Sequence, residues 1–218
     1  MTRNMVLLGG GGWMMGESNS PLDEYAIKLS KKDKPKICFI PTATGDSQEV
    51  IDRFLNSGLE GDLSYYPLFK ANKDWETFLY EQDVIYVGGG NTKNMLAIWK
   101  EWGIDKILRD CYNSGTIICG MSAGAICWFE RCITDSDPKG YTVIDGLSFL
   151  DGVAAAHYST KSEQAKLLKT DDLKVSLPFY GIPEYVALHF IDETLHEIIS
   201  SGNVETPTIL GTFATDLS

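Results

Sequence analysis

A serine surrounded by residues with little or no side chain occupies the centre of the segment GMSAG, residues 120–124. The spacing matches the G-x-S-x-G nucleophile elbow, a sharp strand-to-helix turn that lifts a serine hydroxyl clear of a sheet. An apolar segment, TIICG, precedes the turn, and a helical pattern, AGAICWFE, follows it. Small neighbours suit a strained turn and leave room for a substrate carbonyl. We therefore expect Ser122 to be a nucleophile at the start of a helix.

A serine hydroxyl needs a base to take its proton, and the chain has three histidines that could do so. His157 ends the small-residue run GVAAA and begins a polar segment, so it is predicted at a strand end, where catalytic groups belong. His189 lies within the apolar segment VALHF, and His196 lies in a polar segment. We expect these two to be structural or solvent-facing, and His157 to be the general base.

The acid that orients the base is predicted to be Glu184, in the segment GIPEYVAL. Gly181 and Pro183 restrict the backbone before it, and an apolar strand follows, so a charged residue here is either a turn residue or a site residue. Three aspartates compete for this role but precede the histidine in the chain: Asp135, Asp137 and Asp145.

The order of these residues along the chain separates two architectures. An α/β-hydrolase runs serine, acid, histidine, which would combine Ser122 with one of the three aspartates and with His189 or His196. The chain is short for that fold. The order Ser122, His157, Glu184 indicates a different architecture.

A second glycine-rich turn, GGGNT at residues 88–92, follows the apolar segment DVIYV. Three glycines leave backbone N–H groups accessible, and that of Gly89 or Gly90 could stabilise an oxyanion together with the unpaired N–H groups at the start of the helix after Ser122. Asn91 or Thr92 is predicted to cap the next helix.

The first glycine-rich turn, GGGGWMMG at residues 9–16, does not match the dinucleotide-binding pattern. Met14 or Met15 stands where the third glycine of G-x-G-x-x-G is required, and the sequence contains no phosphate-binding G-x-x-x-x-G-K-[ST] loop. We expect a tight strand-to-helix turn and no cofactor. No metal site is predicted, since no histidine, cysteine and aspartate cluster has ligand spacing.

These residues must be positioned by strands and helices that alternate along the first part of the chain. Strands are predicted at residues 5–8, 36–40, 63–68, 83–87 and 116–120. Helices are predicted at residues 21–32, 46–58, 73–80 and 91–115, the last with a break near Gly103. The alternation, and strands that are apolar throughout, indicate a mostly parallel sheet with helices on both faces, a three-layer α/β/α fold. The glycine-rich turns then lie at the carboxyl ends of strands, where ligands bind in such sheets.

After about residue 135 the alternation is less regular. Strands are predicted at 153–159 and 185–191, a helix at 163–170, and terminal strands around a Gly-Asn turn at 202–203. We expect these segments to continue the same sheet with antiparallel C-terminal strands, and residues 1–218 to form one domain.

Composition limits the partners. Apolar residues make up 44% of the chain and the net charge is −11, which disfavours nucleic acid and anionic membranes. No apolar run is long enough for a membrane span or a signal segment, so a cytoplasmic location is expected. The five cysteines, an odd number without C-x-x-C spacing, are expected to be buried and reduced. Oligomeric state is not predicted.

Taken in order and spacing, DVIYVGGGNT, GMSAGA, AHYS and GIPE resemble the peptidase E (aspartyl dipeptidase) family. This resemblance, over roughly residues 36–190, implies a class I glutamine amidotransferase-like, flavodoxin-like fold and a serine peptidase without a cofactor. It implies a Ser-His-Glu triad of Ser122, His157 and Glu184. It further implies an oxyanion hole from the N–H groups of Gly90 and Ala123, with supporting positions at Gly89, Asn91 and Asp137.

The sequence departs from the family in the segment after His157. Family members carry an arginine there that holds the aspartate side chain of the substrate, whereas residues 158–174 contain lysines but no arginine. Lysine is a poor bidentate partner for a carboxylate, so a strict aspartate preference does not carry over. We expect a peptidase acting on short peptides; an esterase or amidase with the same triad, or a catalytically silent binding protein on the same scaffold, is the alternative.

Overall fold

The computed structural model describes residues 1–70, 74–168 and 178–211, without the side chain of Trp75. Seven described strands form a central sheet: β1 (Asn4–Leu8), β2 (Lys36–Ile40), β3 (Asp62–Tyr65), β4 (Val84–Val87), β5 (Ile117–Met121), β10 (Val186–Ile191) and β11 (Thr194–Ser200). Five form a second sheet: β6 (Phe129–Asp137), β7 (Gly140–Asp145), β8 (Leu150–Ala156), β9 (Phe179–Ile182) and β12 (Thr208–Leu210). The described α-helices are α1 (Pro21–Lys28), α2 (Gln48–Leu55), α3 (Trp75–Tyr80), α4 (Thr92–Trp102), α5 (Ile104–Asn113), α6 (Ala123–Ile126) and α7 (Glu163–Leu167).

The central sheet has the strand order β11-β10-β1-β5-β4-β2-β3. The pairs from β1 to β3 are parallel, whereas β10 and β11 join antiparallel at the β1 edge. Because the five parallel strands point the same way, the loops after β1, β4 and β5 emerge at one edge. The predicted α/β class, with a mostly parallel sheet and antiparallel C-terminal strands, is confirmed.

Both faces of the central sheet are buried, which explains why its strands are apolar throughout. Val6 and Leu8 of β1 face a core that includes residues of α1 and α2, while Met5 and Leu7 face the opposite core. That second core contains residues of α4 and α5, and also residues of the second sheet. On this face of the central sheet, α4 and α5 therefore pack beside the second sheet.

The expectation that the segments after residue 135 continue one sheet is wrong for most of them. Only β10 and β11 join the central sheet, and the second sheet has the order β12-β9-β8-β6-β7. Strands β6, β8 and β9 are mutually parallel, and β7 and β12 are antiparallel at its edges. The two strands predicted around the turn at 202–203 therefore belong to different sheets. The sequence pattern did not predict β6 and β7, whose partly exposed positions obscure the apolar pattern, nor β9, which has only four residues.

The helical segments are mostly shorter than predicted. The helix after Ser122 is a single turn, and the chain turns into β6 at Phe129, so AGAICWFE is not one helix. The break at Gly103 is confirmed: its φ of 72° ends α4, and α5 follows at once. Residue 73 of one predicted helix, residues 169–170 of another and residues 212–218 lie outside the described part of the chain.

All five cysteines are buried and unpaired, as predicted. The longest helix in the described ranges, α4, has 11 residues, and none there has both the length and the apolar character that a membrane span requires.

Candidate active site

Ser122 lies at a strained turn between β5 and α6. Its φ of 54° and ψ of −115° are a combination that a side chain rarely permits, and such backbone costs about 1–3 kcal/mol. The Ser122 N–H donates to the carbonyl of Leu8 at the end of β1 (3.0 Å), which holds the turn against the neighbouring strand. The strain is maintained by the surrounding structure, as is typical of a nucleophile elbow.

The glycines of the elbow are required by the backbone around them. A Cβ on Gly120 would overlap the carbonyl of Gly124, and a Cβ on Gly124 would overlap the carbonyl of Val87 in β4. The indole N–H of Trp128 donates to the Gly124 carbonyl (2.6 Å) and so stabilises the same turn. Substrate access, which the sequence suggested as a reason for the small residues, is therefore not needed to explain these two positions.

The structure brings the three predicted triad side chains together. His157, which follows β8, places Nε2 2.9 Å from Ser122 Oγ, and its Nδ1 lies 3.3 Å from Glu184 Oε1. Glu184 follows β9, and the side chains of His157 and Glu184 are 40% and 49% exposed. With Nδ1 protonated and donating to the carboxylate, Nε2 is free to accept the serine proton. The arrangement therefore has the connectivity of a nucleophile, a base and an orienting acid.

The first glycine-rich turn holds His157 and Glu184 in place. The carbonyl of Gly9 accepts the N–H of His157 (3.1 Å), and the carbonyl of Gly10 accepts the N–H of Tyr185 (3.1 Å), next to Glu184. A Cβ on Gly10 would lie 3.0 Å from both Glu184 Cγ and His157 Nδ1. The turn is thus the tight connection that the sequence predicts, with a positioning role that no local pattern revealed.

A buried carboxylate, that of Asp23, accepts a hydrogen bond from this turn. Asp23 of α1 accepts hydrogen bonds from the N–H of Trp13 (2.7 Å) and the hydroxyl of Tyr86 (3.0 Å). Burial raises the pKa of Asp23 to about 6, and the two hydrogen bonds oppose that rise.

The second glycine-rich turn approaches the serine from β4. A Cβ on Gly89 would lie 3.1 Å from Ser122 Cβ, and Gly90 has a φ of 138° and passes directly over the carbonyl of Ala43. Within the described part of the chain, neither Gly90 nor Ala123 donates its N–H to a hydrogen bond. Both residues line a cavity with Ser122, so these donors are available for a developing oxyanion.

Asn91, one of the two residues predicted as the cap of the next helix, caps α4. Its Oδ1 accepts the N–H of Asn94 (2.9 Å), and its Nδ2 donates to the carbonyl of Ser136 (3.2 Å). Asn91 thereby links the second glycine-rich turn to α4 and to β6 of the second sheet.

Asp137 does not line the Ser122 cavity. Its carboxylate accepts the N–H of Lys139 (3.0 Å) and pairs with Lys93 Nζ of α4 (3.1 Å). Both contacts lower the pKa of Asp137, and the hydrogen bond from the Lys139 N–H has the larger effect. The pairing of β6 with β7 shifts register between Thr134 and Asp137. Such irregularities re-aim side chains, and Asp135 lines the cavity instead.

The cavity beside Ser122 has a volume of about 30 Å³. Strands of the second sheet, three helices (α4, α6 and α7) and the loops after β4, β5 and β8 line it: Gly90, Thr92, Ser122, Ala123, Ile126, Ile133, Thr134, Asp135, Tyr141, Ala156, His157 and Gln164. Gln164 and Tyr141 were not singled out from the sequence, because neither residue belongs to a motif and only the tertiary fold brings them to the serine.

The other candidate groups lie away from this constellation. His189 is buried in β10, where it contacts the hydroxyl of Tyr25 (2.8 Å) and Asn4 Oδ1 (3.0 Å), and burial lowers its pKa to about 4. His196 is exposed on β11, beside His189. Burial raises the pKa of the thiols of Cys119 and Cys127, which disfavours a thiolate nucleophile near the elbow.

In the ranges that the structure describes, no group of three or more histidine, cysteine, aspartate or glutamate side chains is placed to hold a metal ion.

Comparison with known proteins places the chain among peptidases. The model of peptidase family S51 matches residues 5–198. Uncharacterized peptidase YgaJ of Bacillus subtilis (strain 168) is 42% identical over 203 residues, covering 91% of this chain and 88% of that protein. Peptidase E of Pasteurella multocida (strain Pm70) is 27% identical over 141 residues, covering 60% of this chain and 59% of that protein.

Two crystal structures share the fold. A peptidase from an acI-B1 Actinobacterium aligns with a TM-score of 0.70 at 18% identity, covering 97% of this chain and 95% of that chain. A protein of Listeria monocytogenes EGD-e, proposed to be a peptidase E, aligns with a TM-score of 0.62 at 19% identity. The alignment covers 92% of this chain and 98% of that chain. At these identities the likeness concerns the fold alone.

Proposed function

Since the chain belongs to peptidase family S51, as its resemblance to peptidase E predicted, and is a peptidase, we propose that it hydrolyses short peptides through an acyl-enzyme on Ser122. The observation that carries this proposal is the continuous contact from Ser122 Oγ to His157 Nε2 and from His157 Nδ1 to Glu184. A peptidase needs a nucleophile, and among the side chains lining the cavity the Ser122 hydroxyl has a base within hydrogen-bond distance.

In the first half of the reaction, Ser122 Oγ attacks the scissile carbonyl as His157 Nε2 accepts its proton. The imidazolium that forms is stabilised by Glu184, which accepts the Nδ1–H throughout. The N–H groups of Gly90 and Ala123 bind the oxyanion of the tetrahedral intermediate. Collapse of this intermediate breaks the C–N bond, and His157 gives its proton to the leaving amine.

The second half releases the acyl group. A water molecule loses a proton to His157 Nε2 and attacks the Ser122 ester, and the same two N–H groups bind the second oxyanion. Collapse regenerates the serine hydroxyl and frees the carboxylic acid product. The exposure of His157 and Glu184 gives water direct access to the ester.

A panel of dipeptides and tripeptides tests the proposal by release of free amine, with a fluorophosphonate label as a report on the serine. Ser122→Ala is expected to abolish both amine release and labelling. Ser114→Ala serves as the control, because Ser114 is an exposed serine at the opposite edge of the sheet, before β5. Hydrolysis that survives in Ser122→Ala would exclude Ser122 as the nucleophile. Labelling without cleavage of any peptide would place the activity on another acyl compound.

A further inference from the structure

Side chains accept hydrogen bonds from three consecutive backbone N–H groups of the first glycine-rich turn, those of residues 11–13. The carboxylates of Glu17 and Asp23 each accept one of them at 2.7 Å. The remaining acceptor is a thioether, because Met15 Sδ lies 2.8 Å from the Gly11 nitrogen. A thioether sulfur is a weaker acceptor than a carboxylate oxygen. The contact at Gly11 is therefore the weakest of the three.

The Gly11 contact connects Met15 to the proposed triad. Gly11 directly follows Gly10, whose carbonyl accepts the N–H of Tyr185 (3.1 Å). A Cβ on Gly11 would lie 2.9 Å from Tyr185 Cδ1, so the backbone of Gly11 packs closely against that ring. Tyr185 follows Glu184 in the chain. A displacement of Gly11 is therefore expected to move the backbone next to Glu184, the proposed acid.

Met15 is also the more accessible of the sulfur-containing residues around the elbow. It is 42% exposed, whereas Met121 is 6% exposed and Cys119 and Cys127 are fully buried. Burial raises the pKa of both thiols, which disfavours the thiolate that oxidants attack. Met14 is half-buried, with its sulfur directed at the second glycine-rich turn. A small oxidant in solution therefore reaches Met15 more readily than these four residues.

We propose that Met15 is a site of oxidation by hydrogen peroxide, and that formation of its sulfoxide lowers the reactivity of Ser122. The sulfur lone pair attacks one peroxide oxygen, so that an S–O bond forms as the O–O bond breaks. The hydroxide that leaves takes the proton from the transferred oxygen and becomes water. Sulfur is oxidised by two electrons and the peroxide is reduced by two, so the step needs no other reactant.

The distance between Met15 Sδ and the Gly11 nitrogen explains why the sulfoxide disturbs the turn. At 2.8 Å there is no room for an oxygen atom between them, because an N–H···O hydrogen bond alone spans about 2.7–3.2 Å. An oxygen added on this side of the sulfur pushes Gly11 and the side chain apart. An oxygen added on the other side withdraws electrons from the sulfur and weakens it as an acceptor. Either product weakens the hydrogen bond of a buried N–H group, which is unfavourable.

The inference rests on the proposed function and adds a form of regulation to it. Peptide hydrolysis and the rate of fluorophosphonate labelling of Ser122 are measured before and after treatment with hydrogen peroxide, and Met15 sulfoxide is quantified by mass spectrometry. We expect the labelling rate to fall by about tenfold in step with Met15 oxidation, as for a misplaced catalytic group. Reduction by the two methionine sulfoxide reductases, one for each sulfoxide epimer, is expected to restore it.

Met15→Leu is the decisive variant, because it removes the sulfur and keeps an apolar side chain of similar size. After peroxide treatment it is expected to keep the labelling rate that it has before treatment. Met14→Leu is the matched control, since it removes the neighbouring thioether, which is half-buried. Each variant is compared with its own untreated sample, and Met14→Leu is expected to lose labelling as the wild type does.

Three outcomes would overturn this inference and leave the peptidase proposal intact. Met15 could stay unoxidised while N-acetylmethionine in the same solution is consumed, or its sulfoxide could form without any loss of labelling. Met15→Leu could also lose labelling as fast as the wild type does. If the untreated wild type is neither labelled nor able to cleave a peptide, the proposed function fails before any oxidant is added, and this inference fails with it.

Discussion

Removing the Glu184 carboxylate tests whether the acid stabilises the imidazolium of His157. The relevant geometry is the 3.3 Å separation of Glu184 Oε1 from His157 Nδ1, with the two side chains 49% and 40% exposed. Coulomb's law at this separation gives about 1 kcal/mol in water and about 5 kcal/mol at an effective dielectric constant near 20. Because solvent screens the pair, we take about 1–3 kcal/mol as its contribution to the transition state.

Glu184→Ala is therefore expected to lower kcat by about tenfold to a hundredfold. Glu184→Gln is expected to lose more, since its amide can donate to Nδ1 and hold the proton on Nε2, where it blocks acceptance of the serine proton. The assay is steady-state peptide hydrolysis, with the rate of fluorophosphonate labelling of Ser122 as a second readout that needs no peptide substrate.

Glu205→Gln is the matched control. Glu205 lines a neighbouring cavity that also contains Glu184, and its carboxylate contacts the N–H of Thr160 at 3.3 Å rather than His157. A general loss of negative charge would affect both variants, whereas loss of the orienting acid affects only Glu184. If Glu184→Ala and Glu205→Gln both retain kcat within about twofold of the wild type, the triad reasoning is refuted.

Two further predictions concern the first glycine-rich turn, which contacts the proposed base His157. Gly10→Ala is expected to slow Ser122 labelling by about tenfold, because the new methyl group lies 3.0 Å from His157 Nδ1; an unchanged labelling rate would contradict the positioning role of this turn. For Asp23, the folded-state pKa of about 6 lies above the unfolded value, so its contribution to stability is fully present below about pH 4 and is lost as the pH rises through 6. Relative to Asp23→Asn, the wild type is expected to lose about 2–3 kcal/mol of unfolding free energy between pH 4 and pH 7, measured by urea denaturation; parallel pH profiles would contradict this.

The parallel half of the fold was predictable because its strands are buried on both faces. The segments around residues 37–40, 84–87 and 117–120 are apolar without alternation, and the glycines that follow them mark turns. The second sheet was not predictable in the same way. Strands such as β7 are half-buried along their length, so their pattern resembles that of loops.

The residues of the candidate site also differ in how far local sequence patterns predict them. Ser122 was found from a local motif, and His157 and Glu184 from strand ends and chain order. Asp135 was considered only as an alternative acid of the triad. The register shift between Thr134 and Asp137, where β6 pairs with β7, cannot be recognised in the sequence. Gln164 reaches the cavity through packing of α7 on the second sheet, a long-range contact that local patterns do not encode.

The two sheets contribute unequal parts to the cavity. The proposed nucleophile Ser122 and the proposed oxyanion donors Gly90 and Ala123 follow strands of the central sheet, whereas Asp135, His157 and Gln164 come from the second sheet and its helix. Changes in the second sheet can therefore alter what enters the cavity without disturbing the strained turn at Ser122. His157 and Glu184 also follow strands of the second sheet, so the proposed triad spans both sheets and depends on how they pack together.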